Sequence, residues 1–220
     1  MGARIGIDGG GTFTDFILTR DDAPPLLHKV LSTPADPSIA VVTGLAELAA
    51  MVDQGRGVES FVASIETRLH GATVATTATL TGTGAKSALL TTEGIRDALE
   101  MRRGIREEQY NNAYTNVKPL VPRYLRAGVK GRLDRAGREI APLDLAGIDA
   151  AIAEFRREGV EAVSICFMHS YANPAHEAAA AERVRAAMPD AFLTVSSTLL
   201  PSIRFYERVS TTALNSYVGP

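Results

Sequence analysis

IGIDGGGTFTD, residues 5–15, is the stretch that decides how the first part of this chain folds. Ile5 and Ile7 alternate with smaller residues before the glycines, and apolar residues resume after them. This alternation predicts two strands, over residues 3–8 and 13–20, which are joined by a glycine-rich turn.

The glycine run has two possible explanations. An Asp-Gly pair between apolar strands is typical of a tight hairpin, because glycine adopts the positive φ angles that such turns need. One or two glycines suffice for that purpose. The three in succession, Gly9, Gly10 and Gly11, leave backbone N–H groups that can approach an anion closely. Thr12 and Thr14 add hydroxyl donors, and the residues alone leave both explanations open.

The two aspartates that flank the glycines indicate a metal ion. Asp8 lies at the end of the first predicted strand, where a carboxylate can hold Mg²⁺, in this case through water. Asp15 supplies a second carboxylate. Because a carboxylate repels bare phosphate, an anion site here requires a divalent cation between them. The stretch is neither a Walker loop nor a dinucleotide fingerprint, since it lacks G-x-x-x-x-G-K-[ST] and leads into a strand.

The next residues predict a third strand and a helix. A strand over residues 26–33 follows a turn at Pro24 and Pro25, and Asp36 caps a helix whose first residue is Pro37. The chain therefore opens β-β-β-α. Apolar residues at helical spacing predict the buried face of that helix, which consists of Ile39, Val42, Leu45, Leu48, Ala49 and Val52.

Strands and helices alternate through the rest of the chain, which is typical of an α/β fold. Residues 101–142 interrupt this alternation with a segment rich in Arg, Asn, Pro and Gly, and it is predicted as an insertion. The remaining predicted elements are a helix or polar strand at 72–80, a buried strand at 86–92, a helix at 92–101 capped by Thr92, short strands at 125–133, a helix at 143–159, a buried strand at 160–170, a helix at 173–188 capped by Asn173, a strand at 191–197 and a helix at 202–218.

Composition and charge exclude several classes of partner. Apolar residues make up 45% of the 220 residues, which is enough for a packed core, and the net charge is −2. That balance argues against a nucleic-acid groove or an anionic membrane surface. The single cysteine, Cys166, is predicted to be a core thiol. No signal peptide and no apolar run of roughly 18 residues is present, so a cytoplasmic location is expected.

The glycine stretch resembles the phosphate-binding hairpin of actin-like ATPases, and its Thr-Phe-Thr-Asp ending resembles the hydantoinase A / 5-oxoprolinase family. That family includes the ATP-binding subunits of acetone and acetophenone carboxylases. Further stretches resemble its N-terminal region in the same order: LHGATVATTA at 69–78, GAKSALLTTEGIRDALEMRRG at 84–104, EAVSICFMHSYANPAHE at 161–177 and YERVSTTALNSYVGP at 206–220.

The resemblance implies a ribonuclease-H-like lobe of an actin-like ATPase. In this layout residues 1–220 form one N-terminal domain, with a core at about 1–100 and 143–220 and a substrate-side insertion at about 101–142. No second Asp-x-Gly-Gly-Thr occurs, so the second ATPase lobe is expected to lie outside this chain. The 220 residues are accordingly expected to be a fragment or a split subunit that binds ATP weakly or not at all by itself.

The resemblance also implies a reaction, in which ATP, with Mg²⁺, phosphorylates a carbonyl or enolate oxygen. A hydantoinase B-type subunit would then complete the opening of a cyclic amide or the carboxylation of a ketone. The alternatives are a non-catalytic assembly module and a phosphotransferase of the sugar or acetate kinase type. The implied site residues are Asp8, His70 and Arg102 for catalysis, Gly9, Gly10, Gly11, Thr12, Phe13, Thr14 and Asp15 for nucleotide binding, and Asp8 for magnesium through water.

Several residues have competing explanations. His70, in a predicted loop, either contacts the substrate or a phosphate, or is a loop histidine with a backbone partner. Arg102 either reaches a phosphate or carboxylate or belongs to a solvated loop. His169 is predicted to be satisfied structurally, and His176 and Glu177 to have capping and surface roles at the start of a helix.

Two positions depart from the family pattern. The family usually reads His-Gly-Thr-Thr-Val-Ala-Thr-Asn, whereas this chain has Ala72 in place of the first threonine and Thr77 in place of the asparagine. A hydroxyl and an amide are therefore missing from a loop that is expected near the substrate or the γ-phosphate. The carbonyl compound bound is expected to differ from those of other members.

Overall fold

The computed structural model describes residues 2–52 and 57–220. The chain divides into two compact units, Met1–Thr83 and Gly84–Pro220. Each unit combines helices with a four-stranded sheet, so the predicted α/β class is confirmed. None of the helices in the described ranges has the length and apolar character needed to cross a bilayer. The cytoplasmic location stays a prediction.

The first unit is built on a sheet with strand order β3-β2-β1-β4. The first three strands form an antiparallel meander, and β4 returns parallel to β1 after two helices. The predicted β-β-β-α opening is therefore confirmed. The elements are β1 (Ala3–Gly9), β2 (Phe13–Arg20), β3 (Ala23–Leu31), α1 (Pro37–Val52), α2 (Val58–Ala63), β4 (Ile65–Ala72) and α3 (Val74–Thr81).

Helix α1 begins as predicted but buries a different face. The Oδ1 atom of Asp36 accepts a hydrogen bond from the N–H of Ser38 at 3.0 Å, which confirms the cap. Ile39 and Val42 are 53% and 62% exposed, so placing them on the buried face is wrong. The buried residues include Gly44, which the apolar pattern does not mark.

The close approach of α1 to the sheet explains this difference. A Cβ atom at Gly44 would lie 2.3 Å from the ring of Phe16, which is itself buried in β2. Ala40 and Leu48, one turn before and after, lie on the same buried face. The small residues Ala40 and Gly44 therefore allow the close contact between α1 and the sheet, beside the large side chain of Leu48.

Two further predictions in the first unit need correction, and one open alternative is resolved. Pro24 and Pro25 lie inside β3 and not in the turn, which Asp21 and Asp22 form. The edge position of β3 tolerates them, since proline lacks the N–H that an inner strand needs. His70 lies in β4 rather than in a loop. Most side chains of β4 are exposed, so it carries no apolar signal. The ambiguous segment at 72–80 is mostly the helix α3.

The second unit is built on a parallel sheet with strand order β10-β9-β5-β6. Every residue of β5 and β9 is buried, as predicted. A separate antiparallel pair, β7 with β8, lies beside the turn at residues 134–138. The elements are β5 (Ser87–Thr92), α4 (Ala98–Met101), β6 (Arg126–Val129), β7 (Arg132–Leu133), β8 (Glu139–Ala141), α5 (Leu145–Arg157), β9 (Ala162–Cys166), α6 (Ala175–Ala187), β10 (Phe192–Val195), α7 (Ser196–Leu199) and α8 (Phe205–Val218).

The helix predicted at 92–101 is reduced to the single turn α4. Gly94 has a φ of 87°, which breaks the helix, and α4 begins only after Asp97. Thr92 is therefore not a cap; its Oγ1 accepts a hydrogen bond from the N–H of Met168 at 2.9 Å. The boundaries of the inserted segment at 101–142 stay a prediction.

The surface roles predicted for His176 and Glu177 are wrong. His176 is 6% exposed and Glu177 is completely buried. The Oε1 atom of Glu177 accepts hydrogen bonds from the N–H of Phe167 at 2.8 Å and from the Oγ of Ser196 at 2.6 Å, and it lies 3.6 Å from Nη1 of the buried Arg208. The first turn of a helix usually faces solvent, but here α8 supplies a buried cation opposite it.

We expect Gly44→Ala to lower the free energy of unfolding by about 2 kcal/mol, because the new methyl group must displace the buried ring of Phe16. The measurement is urea unfolding. Val42→Ala, at an exposed position two residues earlier, is the control and should change stability by less than about 0.5 kcal/mol. Equal stability of the two variants would contradict the packing described for α1.

We expect Cys166 to be unreactive in the native chain. Burial raises the pKa of its thiol to about 12, so hardly any thiolate forms at pH 8. A chromogenic thiol reagent should label the chain only after denaturant unfolds it. Labelling at the same rate with and without denaturant would show that the core around β9 is open.

Candidate functional site

The hairpin between β1 and β2 does not need its glycines for positive φ angles. The N–H of Gly10 donates to the carbonyl oxygen of Phe13 at 3.0 Å and closes the turn. Gly9, Gly10 and Gly11 all lie outside the left-handed region. Only Gly10 is required by close contact, because a Cβ atom there would lie 2.7 Å from the oxygen of Phe13. A tight turn alone therefore does not account for three glycines.

The backbone of the hairpin leaves two donors unused. Within the described ranges, neither the N–H of Gly11 nor that of Thr12 has an acceptor in the protein. At Gly9 the atom nearest to a Cβ would be 3.8 Å away, so a side chain would fit there. Packing within the protein therefore does not require glycine at position 9, and the absence of a side chain leaves the backbone accessible there. These features favour the anion-binding explanation of the glycine run over the simple turn.

Ser32 holds the tip of the hairpin in place. Its N–H donates to the carbonyl oxygen of Thr12 at 3.0 Å, and its hydroxyl donates to the carbonyl oxygen of Gly10 at 2.7 Å. The same hydroxyl lies 3.0 Å from Oγ1 of the buried Thr14. Ser32 is not among the site residues predicted from the sequence. Its only signal is its place at the end of the third strand, since Leu31 pairs with Phe13.

A cavity of about 440 Å³ lies against one side of the hairpin, and we call it the hairpin cavity. The Nε2 atom of His70 lies 3.9 Å from the position of a Cβ at Gly9. The two residues that depart from the family pattern, Ala72 and Thr77, also face this space. Its lining includes Gly9, Gly10, Gly11, Thr14, Ser32, His70, Ala72, Val74 and Thr77.

Thr73, at the start of α3, fixes the other end of the glycine run. Its N–H donates to the carbonyl oxygen of Gly9 at 3.0 Å, and its hydroxyl lies 3.3 Å from the same oxygen. The methyl group of Thr77, one turn later, would lie 3.2 Å from a Cβ at Gly11. The carbonyl oxygens of Gly9 and Gly10 are therefore bound by the protein.

Three predicted site residues lie on the opposite face of the sheet. Asp8 pairs in register with Asp15, and side chains of a strand alternate between faces, so Asp8 and Gly9 point to opposite sides. Asp15 forms an ion pair with Lys29, whose Nζ lies 3.0 Å from Oδ1 of Asp15. The same ammonium lies 4.9 Å above the ring of Phe13. We call this surface the outer face.

The donor set at the outer face suits a cation that keeps most of its water. In the described part of the chain, no group of three or more His, Cys, Asp or Glu side chains could enclose a metal ion. Mg²⁺ is commonly held by one or two carboxylates together with water and phosphate oxygens. Asp8 alone fits that mode, whereas Asp15 is neutralised by Lys29.

Arg102 lies in the second unit, at the end of α4. Its φ is 56°, which is strained for a residue other than glycine. Its Nη2 donates to Oε1 of Glu107, and the Oε2 atom of Glu107 accepts a hydrogen bond from the hydroxyl of Tyr114. These hydrogen bonds, chiefly the one from Arg102, lower the pKa of Glu107 to about 2. The Nη1 atom of Arg102 is buried and has no partner in the described ranges.

A cavity of about 270 Å³ adjoins this arginine, and we call it the arginine pocket. Its lining consists of Arg102, Arg103, Ile105, Glu107 and Tyr206. The Nε atom of Arg103 donates to Oε1 of Glu207 at 2.9 Å. The charged cluster is evident in the sequence, but the contact of Arg102 with Glu107 and the nearness of Tyr114 and Tyr206 are not. These contacts depend on how a segment without regular structure folds back.

The expectation that His169 is satisfied structurally is wrong for one of its nitrogens. Nδ1 is buried without a partner among the described residues, and the backbone φ is 63°. Burial lowers the pKa of this histidine, and the charges of Arg132 and Arg208 lower it further. The ring lies edge-on to Tyr171.

Comparison with known proteins gives several matches. A family profile described as the hydantoinase/oxoprolinase N-terminal region matches residues 4–188. The caprolactamase subunit alpha of Pseudomonas jessenii is 44% identical over 219 residues, which are 99% of this chain and 31% of that protein. The acetophenone carboxylase gamma subunit of Aromatoleum aromaticum is 32% identical over 227 residues, which are 97% of this chain and 31% of that protein.

Two solved structures share the fold over nearly the whole chain. The crystal structure of the ATP-dependent caprolactamase from Pseudomonas jessenii matches with a TM-score of 0.86 at 44% identity, covering 99% of this chain and 31% of that one. A nucleotide-free acetone carboxylase structure matches with a TM-score of 0.83 at 25% identity, covering 99% and 32%. The chain thus spans about a third of the length of the relatives it matches.

We expect Ser32→Ala to loosen the hairpin, because the tip loses the hydroxyl bonded to Gly10 and Thr14. Stability in urea should fall by about 1–2 kcal/mol, and the amide of Gly10 should exchange its hydrogen faster. Ser60→Ala, at an exposed position in α2, is the control. Unchanged exchange at Gly10 in Ser32→Ala would show that the hydroxyl does not hold the turn.

Proposed function

The chain belongs to the hydantoinase/oxoprolinase N-terminal family, and from that premise we propose that it is the phosphate-binding domain of an ATP-dependent enzyme that phosphorylates a carbonyl or enolate oxygen. The observation that supports this most directly is the pair of unused N–H groups of Gly11 and Thr12, on a glycine run that borders a cavity. Backbone donors of this kind bind phosphate oxygens well.

The names of the relatives support the use of ATP. The matched structures are those of an ATP-dependent caprolactamase and of an enzyme of ATP-dependent acetone carboxylation, and the matched sequences are named as subunits. We propose by analogy that this chain works in a complex, with a second ATPase lobe and a hydantoinase B-type subunit. The outcome would be hydrolysis of a cyclic amide or carboxylation of a ketone.

The topology of the first unit supports a ribonuclease-H-like lobe of the actin-like kind. Its meander of three antiparallel strands, the helix α1 and the parallel return of β4 are consistent with that fold. We propose the same domain layout that the resemblance implies, with a core at about 1–100 and 143–220 and a substrate-side insertion at about 101–142.

The hairpin would act through position and charge, on which phosphoryl transfer mainly depends. Gly11 and Thr12 would donate backbone N–H groups to phosphate oxygens, with Gly9 and Gly10 leaving room for their approach. When bound, ATP supplies the phosphoryl group and Mg²⁺ offsets its negative charge. Asp8 lies at the end of the strand that leads into the hairpin but on the outer face. It would therefore hold that cation only through water that passes around the strand end.

The remaining predicted residues would support these contacts. His70 borders the hairpin cavity, where it could donate to a phosphate or carbonyl oxygen. Thr14 would orient the hairpin through Ser32. Phe13 and Asp15 would fix the outer face through their shared neighbour Lys29, and Arg102 would bind the substrate oxygen in the second unit.

We expect Mg²⁺·ATP to shift the amide resonances of Gly11 and Thr12 in ¹H–¹⁵N spectra of the chain, even if binding is weak. Gly9→Ala should weaken the interaction at least about tenfold, because its methyl group fits the protein but occupies the space a phosphate oxygen would use. Gly71→Ala adds the same group on the outer face, 3.9 Å from Oδ1 of Asp8. Because Asp8 is the proposed Mg²⁺ ligand, this control is compared with Gly9→Ala using ATP without Mg²⁺, and it should keep the shifts.

Comparing Gly9→Ala with Gly71→Ala shows on which face of the sheet the phosphates bind. Shifts confined to residues distant from the hairpin, with Gly11 and Thr12 unmoved, would overturn the proposed function. Stronger loss in Gly71→Ala than in Gly9→Ala would also overturn it, because the phosphates would then lie on the outer face.

A further inference from the structure

We propose that the arginine pocket of the second unit binds the edge of a cyclic amide, with Arg102 donating to its carbonyl oxygen and Glu107 accepting from its N–H. This inference rests on the proposed function and narrows it, because it assigns lactam-type rather than ketone substrates to this chain. It also makes Glu107 a specificity-determining residue, which neither the sequence pattern nor the relatives' names indicate.

The first observation is the unsatisfied guanidinium of Arg102. One of its terminal nitrogens, Nη2, is bonded to Glu107, whereas Nη1 is buried and has no partner in the described ranges. Buried donors are nearly always hydrogen-bonded in folded proteins, so this atom calls for an acceptor from outside the chain. The backbone of Arg102 is strained at a φ of 56°, and such strain is concentrated at ligand-binding positions.

The second observation is the carboxylate beside it. Glu107 is held by Arg102 and by the hydroxyl of Tyr114, which fixes its position although the side chain is half exposed. With its pKa lowered to about 2, it stays ionised at neutral pH and can only accept hydrogen bonds. Each carboxylate oxygen has a further lone pair, so both remain able to accept from a ligand.

The charges of the pocket suit a neutral ligand. Arg102 is paired with Glu107 and Arg103 with Glu207, so these four side chains carry no net charge together. A carboxylate ligand would place a second negative charge next to Glu107, which disfavours it. The apolar side chain of Ile105 lines the same space, whose volume of about 270 Å³ suits a small ring.

A donor beside an acceptor selects the edge of a cis amide. In a small lactam ring the amide is cis, so its C=O and N–H lie on the same edge. That edge would match Arg102 and Glu107 at once. A cyclic ketone offers only the carbonyl oxygen, so Glu107 would keep its bonds to Arg102 and Tyr114 but would gain none from the ligand. A site that binds a ligand N–H discriminates against analogues that lack it.

The test compares ligands that differ in the N–H alone, with no nucleotide present. 2-Pyrrolidinone, N-methyl-2-pyrrolidinone and cyclopentanone are titrated into the full chain, and binding is followed by saturation-transfer NMR. We expect the lactam to bind about tenfold more tightly than the other two, because only it bonds a charged acceptor. Equal affinity for the three ligands would overturn the inference.

Variants separate recognition from a merely structural role. Glu107→Leu should remove the preference for the lactam over the N-methyl compound, whereas a merely structural defect would weaken both ligands and leave the ratio of their affinities unchanged. Glu108→Leu makes the same change one residue along, outside the pocket lining, and should keep the preference. Arg102→Lys should weaken all three ligands, since each has a carbonyl oxygen. A preference that survives Glu107→Leu would overturn the role of Glu107.

The two proposals fail independently. The ligand titration contains no ATP, so its failure leaves the nucleotide shifts at Gly11 and Thr12 unaffected. Conversely, a lactam preference without those shifts would support the pocket and remove the proposed ATP-dependent function.

Discussion

The hydrogen bonds of Ser32 to the glycine hairpin are the interaction on which the first unit's site depends. Three glycines in succession have a large conformational freedom to lose on folding, and they bring no side chains to hold themselves in place. Ser32 compensates by binding the carbonyl oxygens of Gly10 and Thr12. Because the carbonyl oxygens point to the protein, the N–H groups of Gly11 and Thr12 are left for a ligand.

Much of the first unit follows from its sequence. Alternation around residues 5–15 predicts β1 and β2 within a residue at each end, and Asp36 marks the start of α1. The buried face of α1 could not be predicted, because Gly44 contributes to packing through its lack of a side chain. The strand β4 was missed for the opposite reason, since its side chains are mostly exposed and carry no period.

The site was predicted in its composition but not in its geometry. The residues from Asp8 to Asp15 are adjacent in sequence. Without the pairing register of the strands, this adjacency predicts that they all surround one ligand. The sheet separates them, with His70 and the glycines on one side and Asp8 and Asp15 on the other. Glu177 shows the same limit in the second unit: its burial depends on Arg208, a residue 31 positions later that no local pattern connects to it.

Asp8 and Gly9 face opposite sides of the sheet, so the site is sensitive to insertions and deletions in some parts of the sheet and not in others. Losing a single residue within β1 would slip the pairing and exchange the two sides, so that the carboxylate faced the hairpin cavity and bare backbone faced outward. The turn at Asp21 and Asp22 lies in the same sheet but is not part of the glycine hairpin. Extra residues in that turn therefore do not change the register of β1. Insertions and deletions should therefore be tolerated in the hairpin between β2 and β3 but not in the one between β1 and β2.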